Sequence, residues 1–337
     1  MSGDEISDLA LLLPAPAARD LPVERAREVK GHMLAEFRRE TATTVVVPRR
    51  HWVRRSRLAA LAGACAVGVA SGAGVLIAGV GSSPGGATPQ AAALLAKIAY
   101  AAGRQPSQHV RDGEFMYIRS EVAFAVYTGV GGHQTMTMAA PHERQVWLPV
   151  ANLCTTGLLI EDGQSTPLSA YPVANGKVVP PPPGSHFAGC GKGSLNDPTY
   201  RLLQSLPTDP RALLSLIYAQ TQGEGQAQGP DGEAFTTIGD LIREMIVPPR
   251  TAAALYRAAA LIPGVTLAGR TTNAAGQTGV AIAYTDSGGR DEWIFDPVTL
   301  QFIGERDSDP ATGAVSGDTA ILQRAFVEKA GQLPGGR

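Results

Sequence analysis

The sequence predicts an α+β protein: an exterior antiparallel sheet with packed helices, held by one transmembrane helix to short cytoplasmic helices. Two observations lead there. Leu58 to Val80 is a run of 23 residues without a charged side chain, set directly behind an arginine-rich stretch. Beyond it, apolar residues repeat with a period of two, then with helical spacing, then with a period of two again. Strands, helices and strands in that order favour an antiparallel sheet over alternating parallel units.

The cytoplasmic part, residues 1–57, comes first. Ile6, Leu9 and Leu13 recur at helical spacing until Pro14 ends the run. A second run opens with Asp20 as a candidate N-cap and Pro22 in the first turn. Val23, Ala26, Val29, Met33, Leu34 and Phe37 then trace one face, and Glu24, Arg25, Arg27, Glu28 and Lys30 the other. Helices totalling under about forty residues cannot bury such a face alone. Val29, Met33 and Phe37 are therefore candidate partner-binding residues, against the equal alternative of a flexible tail with residual helix.

The span 58–80 would reach roughly 34 Å as a helix, enough for a hydrocarbon core of about 30 Å. Arg49, Arg50, Arg54, Arg55 and Arg57 precede it, and no Lys or Arg follows until Lys97. The positive-inside bias thus places residues 1–57 in the cytoplasm and 81–337 outside. A cleavable signal would have a shorter n-region and a shorter apolar run. The twin-arginine and lipobox likenesses around Arg54–Cys65 are loose, and Cys65 falls within the span, where it reads as a small apolar residue.

Residues 1–57 carry 11 Lys/Arg against 8 Asp/Glu, and residues 81–337 carry 18 against 22. Neither side has the basic surplus of a nucleic-acid binder. Anionic lipid headgroups account for the arginine cluster, so the expected partner there is the membrane. Cys154 and Cys190 both lie on the exterior side. In an oxidising compartment they read most simply as one disulfide, whose loop of about 37 residues would contribute roughly 4 kcal/mol.

Residues 81–90 form a Gly/Ser/Pro linker, and 91–330 the exterior domain. Ala91–Ala102 reads as a helix. Gly113–Tyr127 and Gln134–Val150 read as strands joined by a turn at Gly129–Gly132. A proline-rich loop with Pro180 to Pro183 follows. Asp209 caps a helix over Pro210–Gln222, and further helices are expected over Phe235–Ile246 and Arg250–Leu261. Strands return at Val265–Thr272, Gly279–Tyr284, Arg290–Phe295 and Leu300–Arg306, with turns at Asn273–Gly276, Asp286–Gly289 and Asp296-Pro297.

Three stretches carry a resemblance. They are Leu206-Pro207-Thr208-Asp209-Pro210 with Leu213-Leu214, then Ala253 to Val265 with its Ile262-Pro263-Gly264 end, then Phe295-Asp296-Pro297-Val298-Thr299. Together with the cytoplasmic helices and the span, they resemble an actinobacterial family of single-pass membrane proteins often encoded beside sigma factors of the extracytoplasmic-function class. Asn273 and Gln277-Thr278 stand where Asp and Arg-Pro are more usual in it. More distantly, the strand ending in Phe295-Asp296-Pro297 resembles the lipoprotein-carrier half-barrel, a fold also used by periplasmic sensors that regulate sigma factors. The amphipathic run over residues 20–39 favours a membrane-anchored regulator with a sigma factor or other cytoplasmic protein as partner. A lipid-holding half-barrel and a ligand-free adaptor are its alternatives.

Chemical motifs point to no catalytic residue, cofactor or metal. Asp286-Ser287-Gly288-Gly289 mimics a protease nucleophile loop but sits in a tight turn without a partnering His. Gly189 to Ser194 lacks the Ser/Thr and the preceding strand of a phosphate loop. His142-Glu143 lacks the second His of a zinc-protease helix. Asp307 and Asp309 begin like a calcium loop, but Ala311 and Thr312 stand where a ligand and a glycine are required. His32 has no cytoplasmic cysteine beside it, which excludes the zinc mechanism of some anti-sigma proteins. A non-enzymatic protein is expected.

Overall fold

Residues far apart in sequence close a single antiparallel sheet in the computed structural model. It describes residues 85–128, 135–169, 171, 173–174, 177–179, 191–221, 229–287 and 289–335. The run with Val29, Met33 and Phe37, the five arginines, the expected span, the turn at 129–132, Pro180–Pro183 and Cys190 lie outside the described residues. No described helix is long and apolar enough to cross a membrane.

The chain enters through α1 (Pro89–Gly103), then β1 (Phe115–Thr128), β2 (Thr135–Met138), β3 (His142–Pro149), β4 (Gly157–Glu161) and β5 (Gln164–Leu168). Two short strand pairs follow, β6 (Val173–Ala174) with β7 (Lys177–Val178) and β8 (Gly193–Ser194) with β9 (Asp197–Pro198). The helical block is α2 (Tyr200–Ser205), α3 (Pro210–Thr221), α4 (Gly229–Glu244) and α5 (Pro249–Ala259). Strands β10 (Thr266–Thr272), β11 (Thr278–Asp286), β12 (Gly289–Phe295), β13 (Phe302–Ser308) and β14 (Val315–Val327) complete it. The expected α+β class with a large antiparallel sheet is what forms.

The strand order is β10-β11-β12-β13-β14-β1-β3-β4-β5, with β2 added to β1. The two sequence groups meet where β1 pairs with β14, from Phe115↔Val327 to Phe124↔Gly317. Strand β14 has no counterpart among the expected elements. Its Gly317-Asp318-Thr319 start and the register shift opposite Arg119/Ser120 break the period-two pattern that would have revealed it.

Other differences have local causes. The strand expected over Gln134–Val150 is two, because Pro141 interrupts the ladder between β2 and β3. The β4–β5 hairpin stands where a loop was expected. Its turn is Asp162-Gly163, with φ of 50° and 71°, the double left-handed geometry of a two-residue hairpin turn. Helix α4 starts six residues before Phe235, with Pro230 and Asp231 in its first turn. The last residues of the expected linker, Pro89 and Gln90, already belong to α1. The Asp209 cap forms as read, its Oδ1 accepting from the Ala212 amide at 2.9 Å.

All five helices contribute to an apolar core on one face of the sheet. Antiparallel partners share a face, so Met116 with Phe326 and Leu148, and Ile118 with Val146, point to the helices. Phe115, Tyr117, Trp147 and Val327 point the other way into a small cluster with Leu158, Ile160 and Ala330. The C-terminal turn closes over it, where Trp147 Nε1 donates to the Gln332 carbonyl at 2.7 Å. In the main core, Trp293 of β12 lies flat on Phe235 of α4, centroids 3.8 Å apart and planes 7° off parallel. Gly239, one turn later on α4, leaves the indole its space: a Cβ there would sit 2.6 Å from Trp293 Nε1. Gly239→Ala is therefore expected to destabilise the protein by about 1–3 kcal/mol through overpacking. Urea denaturation followed by tryptophan fluorescence measures it, and an unchanged midpoint would show that the stack has room to move.

Candidate functional site

Helix α4 carries two stripes. Ala234, Phe235, Ile238, Leu241 and Ile242 are buried in the apolar core. Thr236, Asp240, Arg243 and Glu244 form a second, polar stripe that also meets the sheet. Thr236 Oγ1 donates to Asp291 of β12 at 3.1 Å. Arg243 donates to Glu305 of β13 at 2.9 Å, to Glu244 at 3.1 Å, and to Asp240. Glu244 in turn accepts from Arg144 of β3 at 2.9 Å. Arg144 lies opposite Glu161 of β4, Nε to Oε2 at 3.9 Å, and Glu161 Oε1 faces His142 Nε2 at 3.0 Å.

Read along its length, this seam alternates in sign: His142, Glu161, Arg144, Glu244, Arg243, Glu305. The side chains of Arg243, Glu244 and Glu305 are 11%, 11% and 7% exposed. Ion pairs this buried interact through little screening, but each ion has also lost its hydration. Burial alone would raise the Glu244 carboxyl. Arg144 and Arg243 more than reverse that and bring it down to about 2. Burial likewise works against the charge on Arg243, yet Glu305, Asp240 and Glu244 hold it well above its ordinary value. Glu244 and Arg243 thus stay charged at neutral pH. The far end of α4 is tied as well, since the Arg324 guanidinium of β14 donates to the carbonyls of Ile242 and Arg243.

The arrangement mechanically couples three parts of the fold: the β3–β4 wing, helix α4 and the β12–β13 strands. Among the described residues, no group of three or more His, Cys, Asp or Glu is placed to hold a metal ion. The motifs weighed from the sequence fall as follows. Asp286 Oδ1 accepts from the Gly289 amide at 3.1 Å within the β11–β12 turn. Asp309 Oδ1 accepts from the amides of Ala311 and Thr312, both at 2.8 Å, which makes it a turn former. His142 and Glu143 sit on a strand, and Glu143 faces away from the seam to meet Arg119 at 3.3 Å. Cys154 is disulfide-bonded.

No known family model and no curated protein matches the chain. Among solved structures it is similar to the Pseudomonas aeruginosa MucA/MucB complex, at TM-score 0.23 and 11% identity, covering 70% of this chain and 57% of that one. It is likewise similar to MucB in complex with MucA(peri), at TM-score 0.23 and 12% identity over 73% and 59% of the two chains. MucB alone gives TM-score 0.22 and 12% identity over 71% and 60%. The chain thus spans less than two thirds of each of those chains, and TM-scores this low transfer neither architecture nor role.

The depressed Glu244 carboxyl makes a signed prediction. Its stabilisation is complete above the ordinary carboxylate value of 4.5 and is lost as pH falls toward about 2. Glu244→Gln should cost about 3 kcal/mol at pH 7, and the gap to the unmodified protein should close between pH 4.5 and 2. Urea midpoints across that range measure it; a gap independent of pH would remove Glu244 as the charged centre of the seam.

Proposed function

We propose that this protein is a membrane-anchored extracytoplasmic regulator without enzymatic activity, whose exterior domain reads a signal and whose cytoplasmic helix holds a sigma factor. The observation that carries the reading is the way the exterior domain takes up the chain arriving from the linker. The Ala87 amide donates to the Ala260 carbonyl at 3.1 Å and the Thr88 amide to the Val265 carbonyl at 2.9 Å. Helix α1 then lies along α5 closely enough that a Cβ at Gly103 would be 3.3 Å from that of Ala253. A shift of the helix layer is therefore delivered to the chain within a few residues of the span.

The cytoplasmic end supplies the other half of the argument. The apolar face of Val29, Met33 and Phe37 has too little chain around it to be buried by its own segment. A lipid carrier has no use for such a face. The sheet face that would hold an acyl chain is, moreover, filled by side chains of α1, α3, α4 and α5, including Leu95, Ile217, Phe235 and Leu255. The exterior location also favours Cys190 as the second half of the Cys154 disulfide.

Two measurements test this reading. Thiol labelling of the denatured, unreduced full chain should find one reactive cysteine, Cys65; a reactive Cys190 overturns the bridge. Met33→Asp with Phe37→Asp should abolish capture of the sigma factor by the full chain. Each buried side chain is worth about 1.5–3 kcal/mol, so the combined loss should exceed a hundredfold in affinity. Unchanged capture by the double variant would exclude this helix as the docking element.

A further inference from the structure

His142 occupies the outer end of the seam, and its ring is held by acceptors on both sides. Nδ1 faces the Ala140 carbonyl at 3.2 Å, and Nε2 faces Glu161 Oε1 at 3.0 Å. A carbonyl oxygen cannot donate, and neither can a carboxylate. A neutral imidazole has only one N–H, so it can satisfy one of these two contacts. The geometry as it stands is that of an imidazolium donating twice.

The charged groups around the ring agree. Asp162, in the β4–β5 turn, places Oδ2 3.8 Å from Nε2. Glu161 stands on β4, and Arg144, two residues along β3 on the same face, shares Glu161 with the ring. From β1 the cross-strand partner is Val122, which contributes no charge. Helix α4 reaches this end through Glu244, which holds Arg144. Glu143 and Glu121 lie on the opposite face of the sheet. The carboxylates Glu161 and Asp162 thus outnumber the one nearby cation.

We propose that the protonation state of His142 is a built-in switch, clamping the β4–β5 hairpin to β3 and the α4 seam when charged and releasing it when neutral. Burial by itself would disfavour the charge, but the hydrogen bonds to Glu161 and Ala140 and the nearness of Asp162 outweigh it, and the ring holds its proton above the ordinary value of 6.5. The sign follows. The clamp is fully present below 6.5 and is lost as pH rises through the raised value of the folded protein. The released segment is an edge hairpin, since among the described residues β5 ends the sheet. Release therefore loosens β4 and β5, and with them the small cluster around Trp147, while the helix-facing core stays intact. The proposal concerns the exterior domain alone and stands whether or not a sigma factor is the cytoplasmic partner.

Hydrogen exchange of the full chain, read on peptides covering residues 157–168 and corrected for intrinsic rates, tests it at pH 5.5 and 8.5. An imidazole changes its charge within that window. Exchange of these residues should be about tenfold faster at pH 8.5, the effect of one charge-assisted hydrogen bond. His142→Gln should exchange fast at both pH values. His142→Arg, a permanent cation with donors to spare, should stay slow at both. Equal exchange of the unmodified protein at the two pH values would overturn the switch, as would a pH difference preserved in His142→Gln.

Discussion

The pairing of β1 with β14 is the constraint on which the fold depends. It joins β1–β5 to β10–β13 in one sheet. Residues 115–124 must therefore find residues 317–327 in the correct register. A shift of one position would turn Met116 and Ile118 out of the helix-facing core and drive Tyr117 into it. The register is set on both faces at once, because Phe115, Tyr117 and Val327 have their own apolar cluster opposite. Two-sided burial thus penalises a one-residue slip on both faces at once.

The ionic seam adds a different kind of order. Apolar stacking of Phe235 on Trp293 supplies attraction with little directional demand beyond shape. The alternating charges along α4 supply direction: each must meet its partner or strand a buried charge. Helix α4 is thus fixed in rotation by its apolar stripe and in axial position by Asp240, Arg243 and Glu244. A buried chain of this kind contributes less net stability than it does specificity, since the desolvation of its ions offsets much of the attraction. What it provides is a coupling between the sheet wing and the helix that hydrophobic packing would leave loose.

Much of this was legible in the sequence. Period-two apolar spacing located β1, β3 and β10–β13, and Asp209, Asn273, Asp286 and Asp296 marked their turns or caps correctly. The Asp162-Gly163 turn signal is also present, but the prolines that follow give the whole stretch the composition of a loop. Strand β14 was hidden for a deeper reason: Gly304 faces Ala320 across the ladder, and Asp318 answers Arg306, so its residues answer neighbours rather than a period. The seam was illegible for the same reason. Charged residues on strands normally signal the solvent face. Only once Arg144, Glu161 and Glu305 are known to share the helix-facing side does their spacing become a pattern.

One consequence of the β1–β14 ladder concerns time rather than stability. About two hundred residues separate the partners, so β1 cannot be covered on that side until residues 315–327 have been synthesised. Contacts of such sequence separation close slowly, because the loop entropy is spent before the pairing compensates it. Meanwhile β1 presents a long, largely apolar edge on which another strand could add. Helices α1 to α5 are complete before β14 exists, and their apolar stripes can collapse onto Met116 and Ile118 early. The helical block placed in the middle of the chain thus shields a half-built sheet while its last strand is still to come.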